Sequence, residues 1–143
     1  MRVTVLGPAS ELLAPTHLPF FKGGVRAGFP SPADDYLESN IRLQDLLVEH
    51  PAATFLVRIE GDSMKGAGIH DGDIAVVDRA LSPAHGKIVV AVVDGDFAVK
   101  RLIYRNGSCF LESANPAFPD IEVSESSDNA VWGVVAHVIH RLK

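Results

Sequence analysis

From Thr54 to Arg141 the chain is divided into short runs of alternating or β-branched apolar residues. That rhythm constrains the fold more than any other feature, because a period of two fits strands and not helices. The runs are Thr54–Glu60, Asp73–Arg79, Lys87–Asp94, Asp96–Arg105, Ser108–Ser113 and Ala130–Arg141. Between them stand HDGD, SPAHG, DGD, RNGS and ANPAFPD, all rich in residues that turn a chain. Asp94-Gly95 between two apolar runs is a hairpin signal. Strands joined by turns this tight pair antiparallel. The pattern predicts a mainly β protein, a compact antiparallel sheet or small barrel-like domain, with short helices confined to the N-terminal end.

The front of the chain reads differently. Residues 1–27 carry Pro8, Pro15 and Pro19 and a Gly-Gly pair at 23–24, with short apolar patches at Val3–Leu6 and Leu18–Phe21. No helical period is sustained, so this is expected to be an extended arm that docks on a surface. Its Arg2, Lys22 and Arg26 outweigh Glu11, against a net charge of −5 for the whole chain. Opposite signs favour docking weakly, and salt screens them. Beyond the arm, Ser31 suits a helix N-cap, Pro32 the first helical position, and Asp34-Asp35 the positive end of a helix dipole. The spacing of Ile41, Leu43, Leu46 and Leu47 predicts two short helical pieces, ended by His50-Pro51.

Composition excludes several function classes. A length of 143 residues suits one domain, and 47% apolar residues suffice for a core. The acidic balance argues against a stand-alone nucleic-acid binder. Cys109 is the single cysteine, so no internal disulfide staples the fold. No apolar run approaches the roughly 18 residues that span a bilayer, and the start lacks a signal-peptide core. A cytoplasmic protein is expected, with no cofactor or metal implied.

One stretch carries chemistry. Glu60–Asp78, EGDSMKGAGIHDGDIAVVD, holds Ser63 among glycines at 61, 66, 68 and 72. It reads as a turn serine unless a base is at hand, since a hydroxyl is a poor nucleophile with its proton on. His17, His50, His70, His85, His137 and His140 are available, but Gly61-Asp62-Ser63-Met64 does not match a Gly-x-Ser-x-Gly elbow. Lys100 is the other choice. In a strand it shares a face with Ala98 and Leu102, a charge among apolar neighbours. Periodicity alone reads it first as a surface lysine with its stem laid along that face. To act as a base it must shed its proton near neutral pH, where at a pKa of about 10.4 only one lysine in a few thousand is neutral. Desolvation, and a like charge such as Arg101, would shift it that way.

GDSM, then GAGIHDGDIAVVD, then GKIVVAVVDGDFAVKRL, resemble the serine-lysine self-cleaving peptidases of the LexA/UmuD type. The resemblance continues through LESANPAFPDIEV and VWGVVAHVIH, and AGFPSPADDYLESNIRLQDLLVEHP resembles the UmuD-type members. It spans about residues 27–143. It implies that Ser63 is the nucleophile and Lys100 the general base. Backbone N–H groups of Ser63 and Asp62 would form the oxyanion hole. Ala27-Gly28 matches the scissile bond of the family, so 1–27 would be the removable arm and 28–143 the serine-lysine peptidase and polymerase-accessory domain. The resemblance further implies a homodimer, cleavage promoted by the RecA–single-stranded-DNA filament in the SOS response, and a trimmed form that partners a UmuC-type error-prone translesion polymerase. No direct specific DNA binding and no membrane are expected.

Alternatives remain open at this level. A LexA or phage-type repressor needs a helix-turn-helix domain of at least about 50 residues ahead of the cut, where 27 proline-broken residues stand. A signal-peptidase-like endopeptidase shares the serine and lysine but needs an anchor. A catalytically dead binding module would tolerate changes at Ser63 and Lys100. Elsewhere, Asp71-Gly72-Asp73 reads as a turn, lacking the other ligands of a calcium loop. Cys109 sits in a strand without a nucleophile motif. Phe20, Phe21 and Phe29 flank Ala27-Gly28, either as anchors that hold the arm in a groove or as patches that dock it elsewhere.

Overall fold

The computed structural model describes residues 2–13, 17–21, 37–123 and 130–143. In chain order the elements are β1 (Arg2–Pro8), α1 (Ala9–Leu12), β2 (His17–Phe21), β3 (Leu37–Arg42), α2 (Leu43–Leu47), β4 (Thr54–Glu60), β5 (Ile74–Asp78), β6 (Ile88–Val93), β7 (Asp96–Arg105), β8 (Ser108–Glu112), β9 (Ile121–Val123) and β10 (Ala130–Ile139). Two 3-10 turns, Pro51–Ala53 and Lys65–Ala67, flank β4. The six strand runs read from sequence are all present. The protein is mainly β with few, short helices, as its turn pattern requires.

Two hairpins follow directly from turn chemistry. Asp94 and Gly95 have φ of 50° and 84°, and Val93 pairs with Asp96 across them. Asn106 and Gly107 have φ of 51° and 78°, and Arg105 pairs with Ser108. Positive φ at both central residues is the two-residue turn whose twist matches that of its strands. These turns fix the registers of β6–β7 and β7–β8.

Eight strands form one antiparallel sheet in the order β1-β4-β5-β10-β6-β7-β8-β9. The last strand in sequence is central in space, lying between β5 and β6. The sheet curls into a half-barrel, bringing β1 into contact with β7. One face buries Val57, Ile59, Met64, Val77, Val90 and Val99. The other buries Val89, Ala91, Leu102, Leu111 and Val134. Covering on both faces explains why β5 and β6 read as unbroken apolar runs, IAVVD and IVVAVV. Leu102 stands opposite Leu111, both fully buried. Truncating either to Ala would cost about 2–5 kcal/mol.

The front end departs from expectation. Leu37–Arg42 is a strand pairing with β2, where a helical piece was expected, and a single short helix follows at Leu43–Leu47. Helix propensity is a weak prior, and a pairing strand overrides it. The expected cap at Ser31 and Pro32 lies outside the described residues. Within the first 13 residues, β1 adds to the sheet edge, and α1 sets Ala9, at 0% exposure, against Val48, Leu56 and Val76.

Candidate active site

β4 ends at Glu60, and the chain bends at Gly61, whose φ of 106° favours glycine. The Gly61 N–H donates to Asp71 Oδ1 at 2.7 Å, tying the bend to the turn before β5. Asp62 and Ser63 come next, then the 3-10 turn, which Gly68 ends at φ 83°. Lys65 N–H donates to the Asp62 carbonyl at 3.1 Å. Met64 is wholly buried beside Ile59, Ile69 and Val99. A fully buried side chain anchors the main chain on both sides of it, and so fixes where half-buried Ser63 sits.

A second clamp comes from the end of β8. Ser113 Oγ donates to the Ser63 carbonyl at 3.1 Å, and Ala114 N–H reaches Met64 Sδ at 3.4 Å. A Cβ on Gly66 would lie 3.4 Å from the Ala114 carbonyl oxygen, so the two segments are close-packed there.

Lys100 lies midway along β7, opposite fully buried Val89 of β6. Arg101 stands opposite Glu112. The β7–β8 ladder ends at that pair, and Lys100 and Ser113 are the next residues beyond it on their two segments. Burial pulls the Lys100 ammonium below the ordinary lysine value. Its Nζ lies 5.9 Å from the Phe118 ring centre. Arg101, expected to help by like charge, is instead engaged through Nη1 with the Gly86 carbonyl at 3.0 Å. Burial alone is the cause of the shift.

Four of the competing histidines are engaged elsewhere, while the His17 side chain lies outside those described and His137 lies exposed on β10. His50 Nδ1 pairs with Asp78 Oδ2, and His140 Nδ1 with Asp73 Oδ1, both at 2.6 Å. His70 stacks on His140, and His85 accepts the Tyr104 N–H. Asp71-Gly72 forms the turn before β5, while buried Asp73 also accepts the His70 N–H. Burial pushes the Cys109 thiol up, away from the thiolate a nucleophile needs. Ala27, Gly28, Phe29, Asp34 and Asp35 lie outside the described residues. No helix among the described residues is long and apolar enough to cross a membrane. Ser113, Ala114 and Phe118 stand within LESANPAFPD without a local signal of any role.

Residues 19–136 match the family described as Peptidase S24-like. The chain belongs to that family. Protein ImpA of Salmonella typhimurium is 45% identical over 125 residues, covering 87% of this chain and 85% of the relative. Protein SamA of the same species is 42% identical over 139 residues, covering 97% and 96%. Protein MucA of Escherichia coli is 42% identical over 121 residues, covering 84% and 82%. These relatives place the chain with the UmuD-like members of the LexA/UmuD type. The LexA repressor of Vibrio cholerae is 36% identical over 140 residues, 97% of this chain but 66% of the repressor. As an S24-like peptidase the chain is of the serine peptidase class.

Proposed function

We propose that this chain cuts itself once, between Ala27 and Gly28, with Ser63 as nucleophile and Lys100 as general base. The observation that carries this reading is the Ser113 hydrogen bond to the Ser63 carbonyl, made by the residue that follows the last β7–β8 pair, Arg101–Glu112, at the end of the ladder where Lys100 lies. Lys100, held toward its neutral form by burial, takes the Ser63 proton. Ser63 Oγ attacks the Ala27 carbonyl carbon, and backbone N–H groups of Asp62 and Ser63 meet the developing oxyanion. The C–N bond to Gly28 breaks as Lys100 returns the proton to the departing nitrogen. Water then gives Lys100 a proton and attacks the acyl ester; the bond from the acyl carbon to Ser63 Oγ breaks as Lys100 returns that proton to Oγ, leaving a carboxyl on Ala27 and a free Ser63 hydroxyl. The cut separates an arm of residues 1–27 from a domain of residues 28–143.

The same reading makes the protein an SOS mutagenesis factor of the UmuD kind. It acts as a homodimer, responds to the RecA filament on single-stranded DNA, and in trimmed form serves a UmuC-type translesion polymerase. A near end-to-end match to SamA favours this over a repressor. The test is fragment mass after incubation with and without RecA filament. A fragment beginning at Gly28 is expected, formed faster with filament, and absent from Ser63→Ala and Lys100→Ala. Equal cutting by those variants, or a cut elsewhere, sinks the reading.

A further inference from the structure

β1 is the outermost strand of the eight-stranded sheet, and all of it precedes Ala27. Its neighbour β4 is paired with β5 on the other side. Removing β1 therefore uncovers a row of β4 N–H and C=O groups, and an open edge is a template for another strand. The opposite end of the sheet offers less, because β9 there is three residues long.

The seat is more than backbone. Val3 stands opposite Ile59 and Val5 opposite Val57, and both valines pack on the cluster that holds Met64 and Val99. Arg2 stands opposite Glu60, and Thr4 opposite exposed Arg58. The register then shifts between Val5 and Gly7, where Gly7 has φ 142°. Beyond it Ala9 occupies a socket of Val48, Leu56 and Val76 at 0% exposure.

We propose that the β4 edge, with its sockets for Val3, Val5 and Ala9, is a strand-acceptor site that binds an extended segment of a partner protein after the arm leaves. This rests on the cut proposed above. The guest adds by strand pairing, with backbone bonds giving affinity and alternate side chains giving specificity. Its chemistry is set by what β1 shows: a basic residue opposite Glu60, β-branched apolar residues opposite Ile59 and Val57, a polar or acidic residue opposite Arg58, and a small residue for the Ala9 socket. The severed arm competes poorly, since it loses a tether worth an effective concentration on the order of millimolar. A second copy does not supply the guest, because the same cut removes the arm from every copy.

The test uses the full chain with Ser63→Ala and a foreign protease recognition sequence inserted between Ala27 and Gly28. The arm can then be removed at will, whether or not the chain cuts itself. The probe is a fluorescein-labelled peptide of residues 2–13, followed by polarisation. No binding is expected before the cut, and saturable binding after the cut and removal of the arm. The peptide carrying Val3→Asp and Val5→Asp should bind at least tenfold more weakly. Amide exchange over residues 54–60 should quicken on the cut and slow again with peptide. In case loss of the arm unfolds the remainder, the uncut full chain carrying Val3→Asp and Val5→Asp should take the parent peptide where the parent chain does not. Absence of binding in both proteins, or indifference to the aspartates, overturns the proposal. So does a doubling of mass on cutting with β4 amides still protected, which would put a second copy on that edge. Binding here with no self-cleavage by the parent would sink only the peptidase reading, and the reverse only the acceptor site.

Discussion

The hydroxyl of Ser113 donates to the main-chain carbonyl of Ser63 across 3.1 Å, joining the end of β8 to the turn after β4. The same oxygen accepts the Asn115 N–H at 3.3 Å. Ser113 is thus a positioning residue for Ser63. Ser113→Ala removes both bonds, of which the one to Ser63, at about 1 kcal/mol, predicts a self-cleavage rate lower by roughly fivefold. Because proton transfer by Lys100 is untouched, the shape of the rate–pH profile should stay as in the parent. Rates of fragment formation between pH 6 and 10 would check this; an unchanged rate, or a shifted profile, would remove the positioning role.

Burial lowers the Lys100 pKa, and that sets the pH dependence of the proposed cut. The rate should climb about tenfold per pH unit while most lysine is protonated, then level off below the ordinary value of about 10.4. Lys100→Arg should abolish cleavage, because a guanidinium keeps its proton. The stability sign follows from the same shift. Between the lowered folded value and the unfolded value the unfolded chain binds more protons, so stability rises with pH through that window. The penalty of holding the ammonium is fully present below the folded value. Lys100→Met should therefore raise the urea midpoint at pH 7 and lose that advantage near pH 10.5.

More of this site is legible in sequence than the strand pattern first suggests. Asn106-Gly107 forms a two-residue turn, so Arg105 pairs with Ser108, and simple counting sets Arg101 opposite Glu112, next to Lys100 and Ser113 in the chain. The hairpin at Asp94-Gly95 likewise sets Lys100 opposite Val89. What counting does not reach is the contact between Ser113 and Ser63, since no turn links β4 to β8. The central place of β10 is hidden for the same reason: its partners β5 and β6 lie far back in the chain. Leu37–Arg42 defeats local reading because its strand state depends on β2, and the three residues of β9 are too few to show a period.

His50 and Asp78 give a second pH signature, in stability rather than cleavage. Asp78 is buried, and its two carboxylate oxygens accept from His50 Nδ1 at 2.6 Å and the Ala80 N–H at 2.8 Å. The hydrogen bond to Asp78 raises the His50 pKa, with the charges of Asp78 and Glu49 adding to it against burial. A raised folded value contributes stability that is full below the unfolded value of about 6.5 and fades as pH rises through the folded one. The drop in urea midpoint caused by His50→Gln should therefore be larger at pH 5.5 than at pH 8.5. Equal drops at both would mean that the pair acts by packing alone.

Gly133 of β10 lies over Val77 of β5, and a Cβ there would stand 2.6 Å from Val77 Cγ1 and 3.2 Å from Arg79 Cγ. Val77 is fully buried in the core. Its branched side chain is stiff at χ1, so it has no easy way to yield. Gly133 also sits at the register shift between Val131 and Gly133 within the β10–β6 ladder. Gly133→Ala must push the central strand off its neighbour, at a cost of about 1–3 kcal/mol for overpacking. Val77→Ala removes the obstructing methyls, so the double variant should recover part of what Gly133→Ala loses. A double-mutant cycle of urea midpoints measures that coupling. Additive losses would show that the glycine is required by the backbone and not by Val77.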